Sequence, residues 1–222
     1  MEENQISPRS LSRRRFIKIG CLSIAALGTT VCGGAGLVAA LRSDPPPIDF
    51  RSFSYGERTG TRVLIAYASA TGSTVDIAAA IGSTLGERGF SIDVRPLKEN
   101  PPLDGYQAVV VGGPVHGGHW LPEAVEYVQT NQSDLERLLA ALFTVHLGHQ
   151  GNDVASQKGR QAYLDRVRPL VPAVTEGYFA GRFDQRSVAM GLPAWMARLT
   201  PTMDFRDWEA IRAWASSLAT VL

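Results

Sequence analysis

A chain of 222 residues, 45% apolar and 19% charged, has room for one α/β domain of ordinary size with an N-terminal appendage, and its composition excludes a disordered protein. The net charge of +1 is unevenly placed: Arg9, Arg13, Arg14, Arg15 and Lys18 stand against Glu2 and Glu3, so the remaining chain is slightly acidic and carries no basic field to grip DNA or RNA. Both cysteines, Cys21 and Cys32, fall in the N-terminal apolar stretch, which leaves the rest without a disulfide framework, a thiolate ligand or a thiol nucleophile.

From Ile19 to Leu41 no residue is charged, directly after the basic cluster. As a helix rising ~1.5 Å per residue this stretch reaches about 34 Å, enough to cross a hydrocarbon layer of about 30 Å. Ser12-Arg13-Arg14-Arg15-Phe16-Ile17-Lys18 resembles a twin-arginine export motif, with an ordinary secretory signal or a basic-flanked membrane helix as the alternatives. The glycines and threonines of the apolar run suit a signal, whereas the lack of an Ala-x-Ala site before Arg42 suits an anchor; Val31 is bulky for an acylation site at Cys32. Residues 1–43 are therefore expected to be a signal or membrane anchor, with residues 19–41 as the segment that would attach it. The export machinery is an expected partner, and the domain is expected on the periplasmic or extracellular side. Asp44-Pro45-Pro46-Pro47 opens an extended linker over 44–60, and the domain is expected over 61–222.

Arg62 to Ala68 is a continuous apolar run, the pattern of a central parallel strand buried on both faces. A helix follows with Ile77, Ile81 and Leu85 on one face, closed by Gly86 and Gly89. Ser91 to Leu97 alternates as a second strand, and Gln107 to Gly113 is a third. Ser133-Asp134-Leu135-Glu136 has capping-box form before a fourth strand at Ala141 to Val145. A helix is expected around Tyr163 to Leu170, a fifth strand over Ala173 to Ala180, and a last helix from near Asp204 with Phe205, Trp208, Ile211, Ala215 and Leu218 as its buried stripe. Val188 to Met203 is amphipathic and methionine-containing, a pattern of core packing or of a substrate or membrane surface. Strands alternating with helices call for a doubly wound parallel sheet, which binds ligands at the carboxyl ends of its strands.

The first strand feeds Ser69-Ala70-Thr71-Gly72-Ser73-Thr74. Backbone N–H groups, four hydroxyls and the positive end of a helix suit a phosphate dianion without a lysine. The loop lacks the Gly-Lys-Ser/Thr ending of a nucleoside-triphosphate loop and the Gly-x-Gly-x-x-Gly of a dinucleotide fold. The third strand runs into Gly113-Pro114-Val115-His116-Gly117-Gly118-His119-Trp120, whose glycines permit close approach to a flat ring. Trp120 is either a ring-packing aromatic or a core residue at a helix start. His146-Leu147-Gly148-His149-Gln150-Gly151 leaves the fourth strand. All four histidines fall in these two loops as His-x-x-His pairs, but no Asp, Glu or Cys joins them, and no metal site is assigned.

Ser69 to Thr74 resembles the flavodoxin family's first loop, Ser/Thr-x-Thr-Gly-x-Thr. The resemblance implies a five-stranded parallel sheet of order 2-1-3-4-5 with FMN as cofactor. The phosphate would be held by the first loop and the ring bracketed by Pro114, Val115, His116, Gly117, Gly118 and Trp120 on one side and His146, Leu147 and Gly148 on the other. Gly118-His119 before an aromatic, Phe143-Thr144-Val145-x-Leu147 and Asp207-Trp208 further resemble the quinone-linked protoporphyrinogen oxidases of flavodoxin type. That resemblance implies electron transfer from a porphyrinogen through FMN to a quinone. The alternatives are an exported electron carrier with a redox-protein partner and a flavin-free interaction domain; no triad, carboxylate pair or nucleophile supports a hydrolase or transferase.

Overall fold

The computed structural model describes residues 48–184 and 201–222. The expected signal or anchor, the prolines of the linker, and the 188–200 part of the amphipathic stretch lie outside the described residues.

The five expected strands become β2 (Arg62–Tyr67), β3 (Ser91–Pro96), β4 (Ala108–His116), β6 (Leu139–His146) and β7 (Thr175–Ala180). They pair in parallel in the spatial order β3-β2-β4-β6-β7, which is the 2-1-3-4-5 order of the flavodoxin-like doubly wound α/β fold. β2 is buried on both faces from Val63 to Tyr67, as its unbroken apolar run requires.

Two additions extend the five-stranded frame. β1 (Phe53–Tyr55) pairs antiparallel with β3, Phe53 opposite Val94 and Tyr55 opposite Ile92. The expected linker over 44–60 is thus corrected at Phe53–Tyr55, which belong to the sheet. Ser54 Oγ donates to Asp93 at 2.9 Å, and Tyr67 donates its hydroxyl to the Arg51 carbonyl at 2.8 Å. Tyr55 lies over Gly82 and Gly86, where a Cβ at either position would come within 2.9 Å or less of it. The second addition is β5 (His119–Trp120), which folds back on β4 with His116 opposite His119.

One face of the sheet carries α1 (Ser73–Gly86) and α5 (Trp208–Leu218). Val75, Ile77, Ala78, Ile81 and Leu85 of α1 share a buried cluster with Ile211, Ala215 and Leu218 of α5 and with Phe143, Val145 and Phe179 of the sheet. The other face carries α2 (Pro122–Thr130) and α3 (Gln132–Leu135), whose Ala124, Tyr127, Val128 and Leu135 pack with Leu64, Val109, Val111 and Leu142. α3 starts after Asn131 with Ser133 inside it, so the expected capping box does not form. The helix expected around 163–170 is displaced: Asp153 accepts from the Ser156 amide at 3.0 Å and opens α4 (Val154–Ala162) instead. Leu164 and Val167 follow that helix as buried residues, and only a single 3-10 turn forms at Arg168–Leu170.

After β7 the chain forms β8 (Arg182–Phe183), which pairs antiparallel with β9 (Met203–Asp204). Asp207 then caps α5 by accepting from the Ala210 amide at 2.9 Å. Phe205 is not part of the buried stripe. It lies before that cap, 41% exposed, and its amide donates to Gly181.

Candidate functional site

β2 ends against α1, and the Ser69–Thr74 loop makes the turn. Gly72 takes φ +92° and ψ −13°, a left-handed conformation that costs glycine little and other residues much. Its amide donates to Ser69 Oγ at 3.0 Å, so that hydroxyl shapes the loop from within. Ser73 Oγ accepts the Arg182 amide at 2.9 Å, which leaves its own proton to donate. Val75 donates its amide to the Gly72 carbonyl at 3.2 Å, and the Ser73 and Thr74 amides ahead of it, which have no intrahelical acceptor, make the positive end of the helix.

A cavity of about 160 Å³ opens here at the carboxyl ends of β2, β4 and β6. The structure gathers Ala70, Thr71, Ser73 and Thr74 of the first loop, Pro114, Val115 and His116 of the second, and His146 and Leu147 of the third around it. Val145, Gly181, Arg182 and Phe183 complete the lining and were not foreseen. Gly181 comes so close that a Cβ there would sit 2.9 Å from Val145 Cγ1 and 3.3 Å from Ser73 Oγ.

The remaining expected residues are not part of the lining. Gly117 and Gly118, at φ +60° and +86°, form the two-residue turn between β4 and β5. Gly112 and Gly113 make room for side chains: a Cβ at Gly112 would meet the Phe143 ring at 2.0 Å, and one at Gly113 the Trp120 indole at 3.0 Å. Trp120 is a core residue, 3% exposed, and its indole N–H donates to Thr144 Oγ1 at 2.9 Å. Of the two alternatives for Trp120, the structure selects core packing.

His146 is 4% exposed. Its Nδ1 lies 2.7 Å from the Gly148 carbonyl, an acceptor that fixes the proton on Nδ1 and makes Nε2 the bare lone pair. Nε2 is buried and has no hydrogen-bond partner among the described residues. Burial pushes the His146 pKa down; the Gly148 carbonyl pulls the other way, and Arg160 and His149 add to the depression, so the ring is neutral in the fold. His149 turns away at φ +52° to lie beside Tyr163 and Gly159, and His116 and His119 face each other on the exposed hairpin. Among the described residues no three His, Cys, Asp or Glu side chains come together as metal ligands.

A parallel doubly wound sheet with a hydroxyl-rich turn into a helix, opening on a half-apolar cavity, is the architecture of a flavodoxin-like flavoprotein. The chain belongs to the flavodoxin-domain family, whose model matches residues 64–191. Protoporphyrinogen IX dehydrogenase (quinone) of Escherichia coli is 30% identical over 88 residues, which cover 39% of this chain and 49% of that protein. The chain thus spans about half the length of the curated relatives it matches. Oxidised flavodoxin 1 from Bacillus cereus superposes on 72% of this chain and 99% of its own at 17% identity and a TM-score of 0.48. The rubredoxin:oxygen oxidoreductase of Desulfovibrio gigas superposes on 72% of this chain and 36% of its own at 15% identity and a TM-score of 0.47.

The cofactor of this family is FMN, and the residues present fit it. Hydroxyls and helix-start amides on one wall suit the phosphate, Val115, Val145, Leu147 and Phe183 suit the apolar body, and the orphaned His146 Nε2 lacks only a donor. The protein is accordingly a flavodoxin-type FMN oxidoreductase or electron carrier.

Proposed function

We propose that the chain is an exported FMN oxidoreductase that passes electrons from a porphyrinogen-like donor to a quinone. The observation that carries this reading is the 30% identity to protoporphyrinogen IX dehydrogenase (quinone), added to a flavin cavity built from the chain's own loops. The redox chemistry is supplied by the flavin, and the protein's share is binding, orientation and exclusion of water. Thr71, Ser73 and Thr74 hold the phosphate end against the start of α1. Pro114 and Val115 approach from β4, and Val145 and Leu147 from β6, as the walls that fix the rest of the molecule. His146, neutral and with its proton committed to Gly148, offers an acceptor and no proton.

The test is turnover by the FMN-loaded full chain. Oxidation of protoporphyrinogen coupled to reduction of a menaquinone analogue is the expected result. Reoxidation by quinone without porphyrinogen oxidation makes the protein a carrier or general quinone reductase and overturns the proposed donor. Export rests on Arg13, Arg14, Phe16 and Lys18. Replacing Arg13 and Arg14 by Lys should hold the protein in the cytoplasm on fractionation, and unchanged transport would sink the twin-arginine assignment.

A further inference from the structure

We infer that Arg182 is the cation that binds the FMN phosphate, an inference that rests on the assignment of the cavity to FMN. The expectation from sequence is a phosphate loop that works by amides and hydroxyls alone, and the fold brings a guanidinium to it from 109 residues away.

The main chain is sewn to both sides of the cavity at this point. The Gly181 amide donates to the His146 carbonyl at 2.8 Å, and the next amide, that of Arg182, donates to Ser73 Oγ at 2.9 Å. The position of Arg182 relative to the first turn of α1 is therefore set by backbone bonds and does not depend on its own side chain. That side chain is 25% exposed and lines the cavity together with Thr71, Ser73 and Thr74.

Among the described residues the guanidinium makes two ion pairs, and both are long. Asp76, in the first turn of α1, is 3.8 Å from Arg182 but only 2.7 Å from Arg206, which also pairs with Asp204 at 2.6 Å. Asp184 lies 3.4 Å from Arg182. Neither contact has the 2.7–2.9 Å length of a charge-assisted hydrogen bond. Among the described residues, three carboxylates and two guanidiniums thus meet beside the phosphate loop, and Arg182 is the guanidinium of the two that lines the cavity. A planar fork of N–H donors matches phosphate geometry, and its partial burial strengthens the attraction.

Arg182→Gln and Arg182→Lys test the assignment in the full chain, stripped of flavin and titrated with FMN and with riboflavin at low and high salt. Wild type should prefer FMN, more so at low salt. Arg182→Gln should weaken FMN about ten- to a hundredfold, leave riboflavin within about twofold, and lose most of the salt dependence. Arg182→Lys should keep most of the FMN preference. Equal losses for FMN and riboflavin would show a purely structural role, and unchanged FMN binding by Arg182→Gln would show no role; either result overturns the inference. A wild-type chain that binds neither flavin overturns the cofactor assignment and this inference together.

Discussion

Thr144→Val isolates one buried bond that ties the second flavin loop to the sheet. Thr144 is fully buried in β6, and its Oγ1 accepts the indole N–H of Trp120 at 2.9 Å. Valine has nearly the same shape and suits a strand, so no cavity opens and the backbone need not move. What changes is that an indole N–H stays buried with no acceptor, at a cost of about 1–3 kcal/mol. For a domain of this size each kcal/mol lowers the melting temperature by about 2–4 °C, which places the variant roughly 2–12 °C below wild type. Thermal and urea unfolding of the flavin-free protein measure it. A cycle with Trp120→Phe supplies the control: once the donor is gone, Thr144→Val should cost little. Equal destabilisation in both backgrounds, or a Thr144→Val protein as stable as wild type, refutes the assignment. Because Trp120 ends the hairpin that carries Pro114, Val115 and His116, FMN and riboflavin should weaken together in the variant, unlike the phosphate-selective loss expected at Arg182.

Gly72→Ala forces an L-residue into the left-handed region at φ +92° and should cost the flavin-free protein about 1–2 kcal/mol in urea unfolding. It should also weaken FMN more than riboflavin, since the displaced amides face the phosphate; equal affinities would remove the loop from the site. His146 is held neutral by burial, so the unfolded chain takes up a proton below the ordinary value of 6.5 while the folded one does not. Stability from this residue is intact above pH 6.5 and drains away as the pH falls from there toward the depressed folded value. His146→Gln should flatten that part of the profile when unfolding free energies are compared between pH 7.5 and 5. A chain that begins at Thr61 should be less stable than one that begins at Ile48 by about 2 kcal/mol or more, from the aromatic surface of Phe53 and Tyr55. Equal urea midpoints would mean that β1 adds nothing.

The frame was legible because its signals are local. Unbroken apolar runs marked β2 and β4, the spacing of Ile77, Ile81 and Leu85 marked α1, and the hydroxyls around Gly72 marked the loop between strand and helix. What escaped lacks periodicity or depends on tertiary contact. β1 is three residues between turn-forming neighbours, too short for an alternation to show. α4 buries none of its side chains, so it has no apolar stripe, and only the Asp153 cap announces it. Gly117 and Gly118 were expected to yield space to a ring, whereas a two-residue hairpin claims both. Gly181, Arg182 and Phe183 carry no motif at all. They reach the cavity because β7 is hydrogen-bonded to β6 and the chain beyond it crosses to α1, a fact of topology with no counterpart in neighbouring residues.

The bonds that finish the cavity join residues far apart in the sequence. Ser73 meets Arg182 across 109 residues, and Asp76 meets Arg206 across 130. Closing such loops costs more entropy than pairing adjacent strands, so these contacts form late in folding. β2, α1 and β3 can assemble while the C-terminal third is still being synthesised, but the wall made by Gly181, Arg182 and Phe183 and the anchor at Arg206 cannot. A cavity with all its walls is therefore expected only once the chain has been made through Arg206, and flavin bound with its full affinity would report that these long-range contacts have closed.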